Sequence, residues 1–217
     1  MNAKEIIAAR VAKEFKDGDF INLGIGLPTK SVDYMSKDIE INLHSENGFA
    51  GVWDTSTIES FDKDIVDAGG SHVILRKGGI FFDSVTSFEI IRGGYLDMTV
   101  LGALEVDEEG SLSNWKIPGK LLPGMGGAMD LVNGSKKVIV SMVHTVKGNP
   151  KILKKCTLPL TGKGVVDMII TELGVFEFIK GKLFLTEITQ GVSLEKIKEV
   201  TPASYEISPN LIEGGIS

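Results

Sequence analysis

Apolar residues recur with a helical period over residues 3–16, and charged residues surround the rest of that segment, which predicts an amphipathic helix. A short apolar run at Phe20–Leu23 predicts a strand, and a Gly-rich turn then leads into a short helix over 30–36. Alternation at period 2 over 39–44 predicts the next strand. This strand–helix–strand order favours parallel pairing of the two strands through a right-handed crossover.

The rest of the chain continues to mix strands and helices. Lys180-Gly181 separates two apolar runs and is typical of a hairpin, whereas the Gly-rich tail from Ser208 is expected to fray. No internal repeat or low-complexity linker divides the chain. We therefore expect one α/β domain over residues 1–217, with a mixed, mostly parallel sheet and helices on both faces. Further strands are predicted at 73–75, 79–82, 98–101, 137–142, 168–171, 176–179 and 182–187, and further helices over 84–91 and after Ser193.

Composition and charge narrow the functional classes. The 217 residues are 42% hydrophobic and 24% charged, as in a globular protein with one good-sized core. The net charge of −6 argues against non-specific nucleic-acid binding, and no apolar run approaches the roughly 20 residues that span a bilayer. The charged N-terminus does not resemble a signal peptide and the single Cys156 cannot form an internal disulfide, so we expect a cytoplasmic protein. The three histidines and Cys156 do not fall at metal-ligand spacing, so no metal site is expected.

Ser45-Glu46-Asn47-Gly48 places a carboxylate directly after the strand predicted at 39–44, and Asn47-Gly48 predicts a tight turn there. The carboxyl ends of strands in open α/β sheets are where ligands and chemistry collect. Taken alone, a glutamate at such a position is more often a solvated side chain or a helix cap. Its significance depends on the segments that accompany it.

Four segments together resemble the β subunit of the family I coenzyme A transferases. The resemblance runs nearly end to end, from Lys4 to about Glu187. Each segment is weak alone, but the set in this order is specific. The segments are Asn-Leu-Gly-Ile-Gly-Leu-Pro at 22–28, Ser-Glu-Asn-Gly at 45–48, Ser-Asn-Trp-Lys-Ile-Pro-Gly-Lys at 113–120 and Gly-Met-Gly-Gly-Ala-Met-Asp-Leu at 124–131.

The resemblance implies that Glu46 is a nucleophile. In that family the matching glutamate attacks the acyl-CoA carbonyl to form an acyl-glutamyl anhydride, and the released thiolate returns to give a glutamyl-CoA thioester. A carboxylate suits an exchange between thioesters and acids of similar energy, because the covalent intermediate is as reactive as the substrate. No general base is needed, since carboxylates are ionised at neutral pH. Coenzyme A is thus a substrate, and no resident cofactor is expected.

The resemblance also implies a set of supporting residues. It places the Gly127 N–H, in the turn with Gly126, and the Asn114 side chain beside the glutamate carboxyl, where they would position it and stabilise charge. Gly24-Ile25-Gly26 lacks the third glycine of a dinucleotide fingerprint and is interpreted as a turn near Glu46. His44, His72, His144 and Cys156 are assigned no role. The predicted contacts to coenzyme A or substrate are Asn22, Gly24, Gly26, Asn47, Gly48 and Lys120, with Lys116 and Arg92 as further cations for its phosphates.

The resemblance further implies a partner. The family's other oxyanion loop, of Gly-Gly-Phe-Gly type, lies in an α subunit and has no match in this sequence. We therefore expect a heterodimer or α2β2 heterotetramer that is nearly inactive without the α subunit. Trp53 stands where a glycine is usual, and an indole that points into the acyl site would reshape it.

Several functions stay open at this stage. The leading one is CoA transfer between acetoacetyl-CoA and butyrate or acetate. Succinyl-CoA:3-oxoacid and 3-oxoadipate exchange remain within the same class. An acyl-CoA thioesterase that uses Glu46 to activate water, and a non-catalytic sugar-phosphate or nucleotide sensor, are alternatives from other classes.

Overall fold

A ten-stranded mixed sheet forms the centre of the molecule in the computed structural model, which describes residues 1–54, 61–119 and 124–215. Its strands are β1 (Phe20–Leu23), β2 (Asn42–Ser45), β3 (Phe49–Asp54), β4 (Val73–Phe81), β5 (Met98–Leu101), β8 (Val138–Ser141), β12 (Met168–Ile170), β13 (Gly174–Ile179), β14 (Lys182–Ile188) and β15 (Glu206–Glu213). They lie in the order β15-β14-β13-β12-β8-β5-β1-β2-β3-β4, and the central run β12-β8-β5-β1-β2 is parallel. Antiparallel strands extend the sheet on both sides of that run.

Five shorter strands form two small sheets beside the main one. They are β6 (Glu105–Asp107), β7 (Leu112–Ser113), β9 (Thr145–Val146), β10 (Asn149–Pro150) and β11 (Ile152–Leu153), paired as β11-β6-β7 and β10-β9. The helices within the described residues are α1 (Ala3–Ala12), a 3-10 helix at Pro28–Tyr34, α2 (Ser84–Arg92), α3 (Ala128–Gly134) and α4 (Leu194–Val200). None of the helices in the described ranges is long and apolar enough to cross a bilayer.

Alternating strand residues bury the two faces of the sheet against different helices. On one face, Val100 and Ile139 pack in a cluster with Ile7 and Val11 of α1. On the other, their neighbours Leu101 and Val140 join the cluster that holds residues of α2, α3 and α4. This period-2 alternation confirms the predicted fold class, a mixed and mostly parallel sheet with helices on both faces.

Several predicted boundaries were wrong for identifiable reasons. The first helix ends at Ala12 rather than residue 16, although its start is well defined by a capping box between Asn2 and Glu5. The strands predicted at 73–75 and 79–82 are one strand, β4, because Gly78 at φ +90° lets the chain continue without turning.

Two segments rich in turn residues form regular structure. Residues 128–134, where Asn133-Gly134 indicated a turn, form helix α3. The tail predicted to fray from Ser208 lies in β15, which pairs in parallel with β14. The Lys180-Gly181 hairpin is confirmed, since both residues have positive φ between β13 and β14.

A buried ionic network fastens α1 to the sheet. The Arg10 guanidinium donates to both carboxylate oxygens of Glu187 in β14, with Nε–Oε2 at 2.8 Å and Nη2–Oε1 at 2.5 Å. Its third nitrogen donates to Glu14 Oε1 at 2.6 Å, and Lys137 Nζ donates to the other Glu14 oxygen at 2.7 Å. Arg10 is 5% exposed, so this network lies in the interior.

The buried His144 predicts an acid-sensitive stability. Its ring nitrogens lie 3.0 and 2.9 Å from the hydroxyls of Thr171 and Thr201, and burial lowers its pKa to about 4. Between pH 6.5 and 4 the unfolded chain therefore binds a proton that the folded one does not, so stability falls as pH falls. We expect the wild type to lose about 2 kcal/mol more than His144→Gln between pH 7 and 5, measured by urea unfolding. Parallel pH dependences of the two proteins would contradict this.

Candidate active site

The chain changes sides of the sheet at β1, which makes a crevice. From β1 it passes to β2 on one side, and later to β5 on the other, and all three strands are parallel. In such sheets the crevice beyond the carboxyl ends of the strands, where the order reverses, is the usual ligand site. Glu46 follows directly after the last residue of β2 and therefore stands at this crevice, where the strand-end pattern had placed it.

The turn 46–48 that carries Glu46 depends on a glycine. Gly48 has φ +131°, and a Cβ there would collide with the Phe82 carbonyl oxygen. Two backbone hydrogen bonds close the turn: Gly48 N–H donates to Ser45 O at 3.0 Å, and Phe82 N–H donates to Gly48 O at 2.9 Å. The Glu46 backbone is thus fixed between two strands, while its side chain is half-buried.

The Glu46 carboxylate contacts Asn22 at the end of β1. Asn22 Nδ2 donates to Glu46 Oε2 at 3.1 Å, and Asn22 is 1% exposed. The backbone of Gly127, which precedes α3, lies against the Glu46 side chain, because a Cβ on Gly127 would stand 3.5 Å from Glu46 Cγ. The closeness of Gly127 agrees with the arrangement that the resemblance implied.

A cavity of about 990 Å³ opens over Glu46. Asn114 lines it but is held from behind by Thr161, whose hydroxyl donates to Asn114 Oδ1 at 2.6 Å. Charged lining residues other than Glu46 are Lys30, Asp33 and Asp67 in the described part of the cavity. Of the residues predicted for the site, the cavity brings together Asn22, Gly24, Gly26, Glu46, Asn114, Gly126 and Gly127.

Asn47 and Gly48 serve the scaffold around Glu46. Neither is among the residues that line the cavity. Asn47 Nδ2 donates to Val66 O at 2.8 Å, and Ser45 Oγ donates to Asn47 Oδ1 at 2.7 Å while accepting from Ala68 N–H at 3.0 Å. The residues beside Glu46 therefore fasten the loop 65–72, which supplies Asp67, Ala68 and Gly69 to the cavity wall. The contact predicted for Lys120 lies outside the described residues.

The remaining predicted cations are engaged in contacts of their own. Arg92 Nε donates to Asp130 Oδ1 at 2.7 Å, and Lys116 Nζ lies 5.6 Å from the Trp115 ring centroid. Trp53 lines the cavity while the Arg76 guanidinium stacks on its ring, 3.4 Å from the centroid. Burial raises the pKa of Cys156 to about 12, so its thiol is a poor nucleophile at neutral pH.

Comparison with known proteins identifies the family. The model of the family described as Coenzyme A transferase matches residues 4–200. The chain belongs to the coenzyme A transferase family. The assignment confirms the resemblance drawn from the four segments, and it confirms a CoA-transferase over a sensor.

Relatives of known name fall in two groups. The β subunit of the acetate CoA-transferase of Haemophilus influenzae is 53% identical over 218 residues, covering 100% of this chain and 97% of that protein. The second subunit of the succinyl-CoA:3-ketoacid coenzyme A transferase of Helicobacter pylori is 49% identical, covering 94% and 99%. Among solved structures, the acyl-CoA transferase YdiF of Escherichia coli O157:H7 superposes with a TM-score of 0.78 at 26% identity, over 98% of this chain and 43% of that one.

Sequence reasoning missed His44, which received no role. It is 4% exposed and lies directly below Asn22, its partner residue in the β1–β2 register. A signal existed: two polar residues stand near the carboxyl ends of consecutive apolar strands that were predicted to pair in parallel. The register that places them side by side could not be read from either strand alone.

Proposed function

We propose that this chain is the β subunit of a CoA-transferase and that Glu46 is its nucleophile. CoA transfer follows from the family; the role of Glu46 and the substrates are the proposal. The observation that carries it is the contact from the buried Asn22 amide to the Glu46 carboxylate, at the floor of a cavity large enough for an acyl-pantetheine end.

The chemistry balances without a proton transfer. A Glu46 oxygen attacks the thioester carbonyl carbon, the C–S bond breaks, and CoA leaves as a thiolate with an acyl-glutamyl anhydride on the enzyme. The thiolate then attacks the Glu46 carbonyl carbon, and the donor acid leaves as a carboxylate. The acceptor carboxylate repeats the two steps in reverse on the glutamyl-CoA thioester.

The residues around Glu46 suit these steps. The Asn22 amide donates to an oxygen of the same carboxyl group that bears negative charge when its carbonyl carbon is attacked. The adjoining backbone of Gly127 carries no Cβ, which leaves room for the tetrahedral centre. Keeping bulk water from the anhydride and thioester matters, since both hydrolyse, and the loop 65–72 forms one wall of the cavity for that purpose.

We propose short monocarboxylic acids, acetate, acetoacetate and butyrate, as the exchanged acids. The described cavity wall carries one lysine, Lys30, against the carboxylates Asp33, Asp67 and Glu46. A second substrate carboxylate, as in succinate, would therefore meet net negative charge from this chain. Acetate also appears in the name of the Haemophilus influenzae relative, whereas succinyl-CoA appears in that of the Helicobacter pylori relative.

We propose an α subunit that completes the site, in a heterodimer or an α2β2 heterotetramer. Named relatives of nearly the same length are themselves single subunits of two-part enzymes, of the β type in the Haemophilus influenzae case. The expected behaviour of the purified single chain is little or no transfer, with activity restored on addition of the α subunit.

Intact-mass spectrometry of the α–β complex tests the proposal. Acetoacetyl-CoA is added without an acceptor acid, and a CoA-sized adduct on this chain, mapped to Glu46, is the expected result. Acetate or butyrate should discharge that adduct, and succinate should do so poorly. Free CoA with no adduct would indicate a thioesterase instead, and neither product would reject the proposed acyl group.

A further inference from the structure

We propose that His44 is a positioning residue for the transfer reaction, which holds the Asn22 amide in the one orientation that donates to Glu46. This inference rests on the proposed function, in which Glu46 is the nucleophile. His44 itself does not contact the Glu46 carboxylate in the described hydrogen bonds, so its effect passes through Asn22.

Three buried side chains form a continuous line behind Glu46. Asn22 Nδ2 lies 3.3 Å from His44 Nδ1 and 3.3 Å from the His44 carbonyl oxygen. On the far side of the ring, His44 Nε2 lies 3.0 Å from Ser87 Oγ of α2. Asn22, His44 and Ser87 are 1%, 4% and 0% exposed, so water does not compete for these contacts.

The donors and acceptors along this line determine one another. An ionised carboxylate only accepts hydrogen bonds, so the Asn22 atom facing Glu46 must be its NH2 group. The same NH2 group faces His44, so Nδ1 must be unprotonated and accept. The ring proton then lies on Nε2 and is donated to Ser87 Oγ. Both amide hydrogens are thereby used, one on Glu46 and one on His44.

The surroundings of His44 favour this neutral tautomer and hold the ring still. The Phe82 ring stacks on the imidazole at a centroid distance of 6.0 Å, and the Phe20 ring meets it edge-on at 5.6 Å. Burial lowers the pKa of His44 to about 4, so the imidazole keeps its acceptor nitrogen at neutral pH.

An acceptor at His44 Nδ1 has a catalytic consequence. Without it, one hydrogen of the Asn22 amide loses its partner on the ring, and the amide can rotate away from Glu46. Both the anhydride and the thioester steps then lose an aligned donor, while the cavity that binds the acids keeps its shape. We therefore expect His44→Leu to lower kcat by about tenfold to hundredfold with little change in KM.

A double-mutant cycle in the α–β complex tests the route through Asn22. His44→Leu is measured in the wild type and in Asn22→Ala, beside His44→Gln, which restores one acceptor and one donor. If His44 acts through Asn22, His44→Leu lowers kcat in the wild type but not in Asn22→Ala, and His44→Gln recovers most of the rate. His144→Gln is the matched control, a buried histidine outside the cavity whose replacement should leave kcat unchanged.

The outcomes separate this inference from the proposed function. Equal losses from His44→Leu in both backgrounds, or no recovery in a folded His44→Gln, would overturn the positioning role even though wild type still forms the Glu46 adduct. Failure of the wild type to form that adduct would overturn the function instead. If His44→Leu does not assemble, Ser87→Ala takes its place in the same cycle, and equal losses in both backgrounds again reject the role.

Discussion

Glu46→Gln is expected to lower kcat for CoA transfer by about 10⁴-fold or more, because a neutral amide cannot form the anhydride. The substitution keeps the shape of the side chain and an oxygen that can accept from Asn22, so folding and assembly should be unaffected. Steady-state kinetics of the α–β complex with acetoacetyl-CoA and acetate provide the measurement, and intact mass should show no CoA adduct.

Glu46→Asp separates charge from reach. It retains a carboxylate but withdraws it by one methylene, so we expect a loss of about a hundredfold and a detectable adduct. Glu199→Gln on α4, an exposed carboxylate paired with Lys196, is the control and should retain full activity. Substantial transfer by Glu46→Gln would mean that another group, or a direct reaction between bound substrates, performs the chemistry.

The position of Glu46 was predictable because local signals determine it. The alternation in residues 39–44, together with Asn47-Gly48, predicts a strand that ends in a tight turn, and the structure places β2 at Asn42–Ser45 followed by the turn 46–48. Glycine's tolerance of positive φ then explains why this turn accepts Gly48 and no larger residue.

The missed elements depend on contacts between distant segments. Residues 128–134 are helical although Asn133-Gly134 favours a turn, because Leu131 and Val132 are buried in the core beside α2. Residues 206–213 form β15 because β14 offers a free edge to pair with. Local propensity is a weak signal in such segments, and tertiary pairing overrides it.

The partners of Glu46 were only half predictable, for a related reason. The resemblance brought Asn114, Gly127 and Asn22 to the site, and all three line the cavity. The direct donor to the carboxylate is Asn22, and its selection depends on the β1–β2 register that sets it opposite His44. A shift of that register by one residue would turn both side chains to the opposite face.

The buried network around Arg10 has the largest expected effect on stability. Arg10→Met should lower the free energy of unfolding by about 3–5 kcal/mol, because it leaves the carboxylates of Glu187 and Glu14 buried without their main partner. Glu187 is 9% exposed and receives two of the three guanidinium hydrogen bonds, so the charge left behind is poorly solvated. Urea unfolding monitored by circular dichroism measures the loss.

Two further variants show whether the unpaired charge is the cause. Arg10→Met combined with Glu187→Gln removes the stranded charge and should recover part of the stability, because losing both partners costs less than losing one. Arg92→Met removes an arginine whose ion pair with Asp130 is exposed, and it should leave the unfolding midpoint nearly unchanged. If Arg10→Met behaved like Arg92→Met, the attachment of α1 to β14 would rest on the apolar contacts of Ile7 and Val11 rather than on this network.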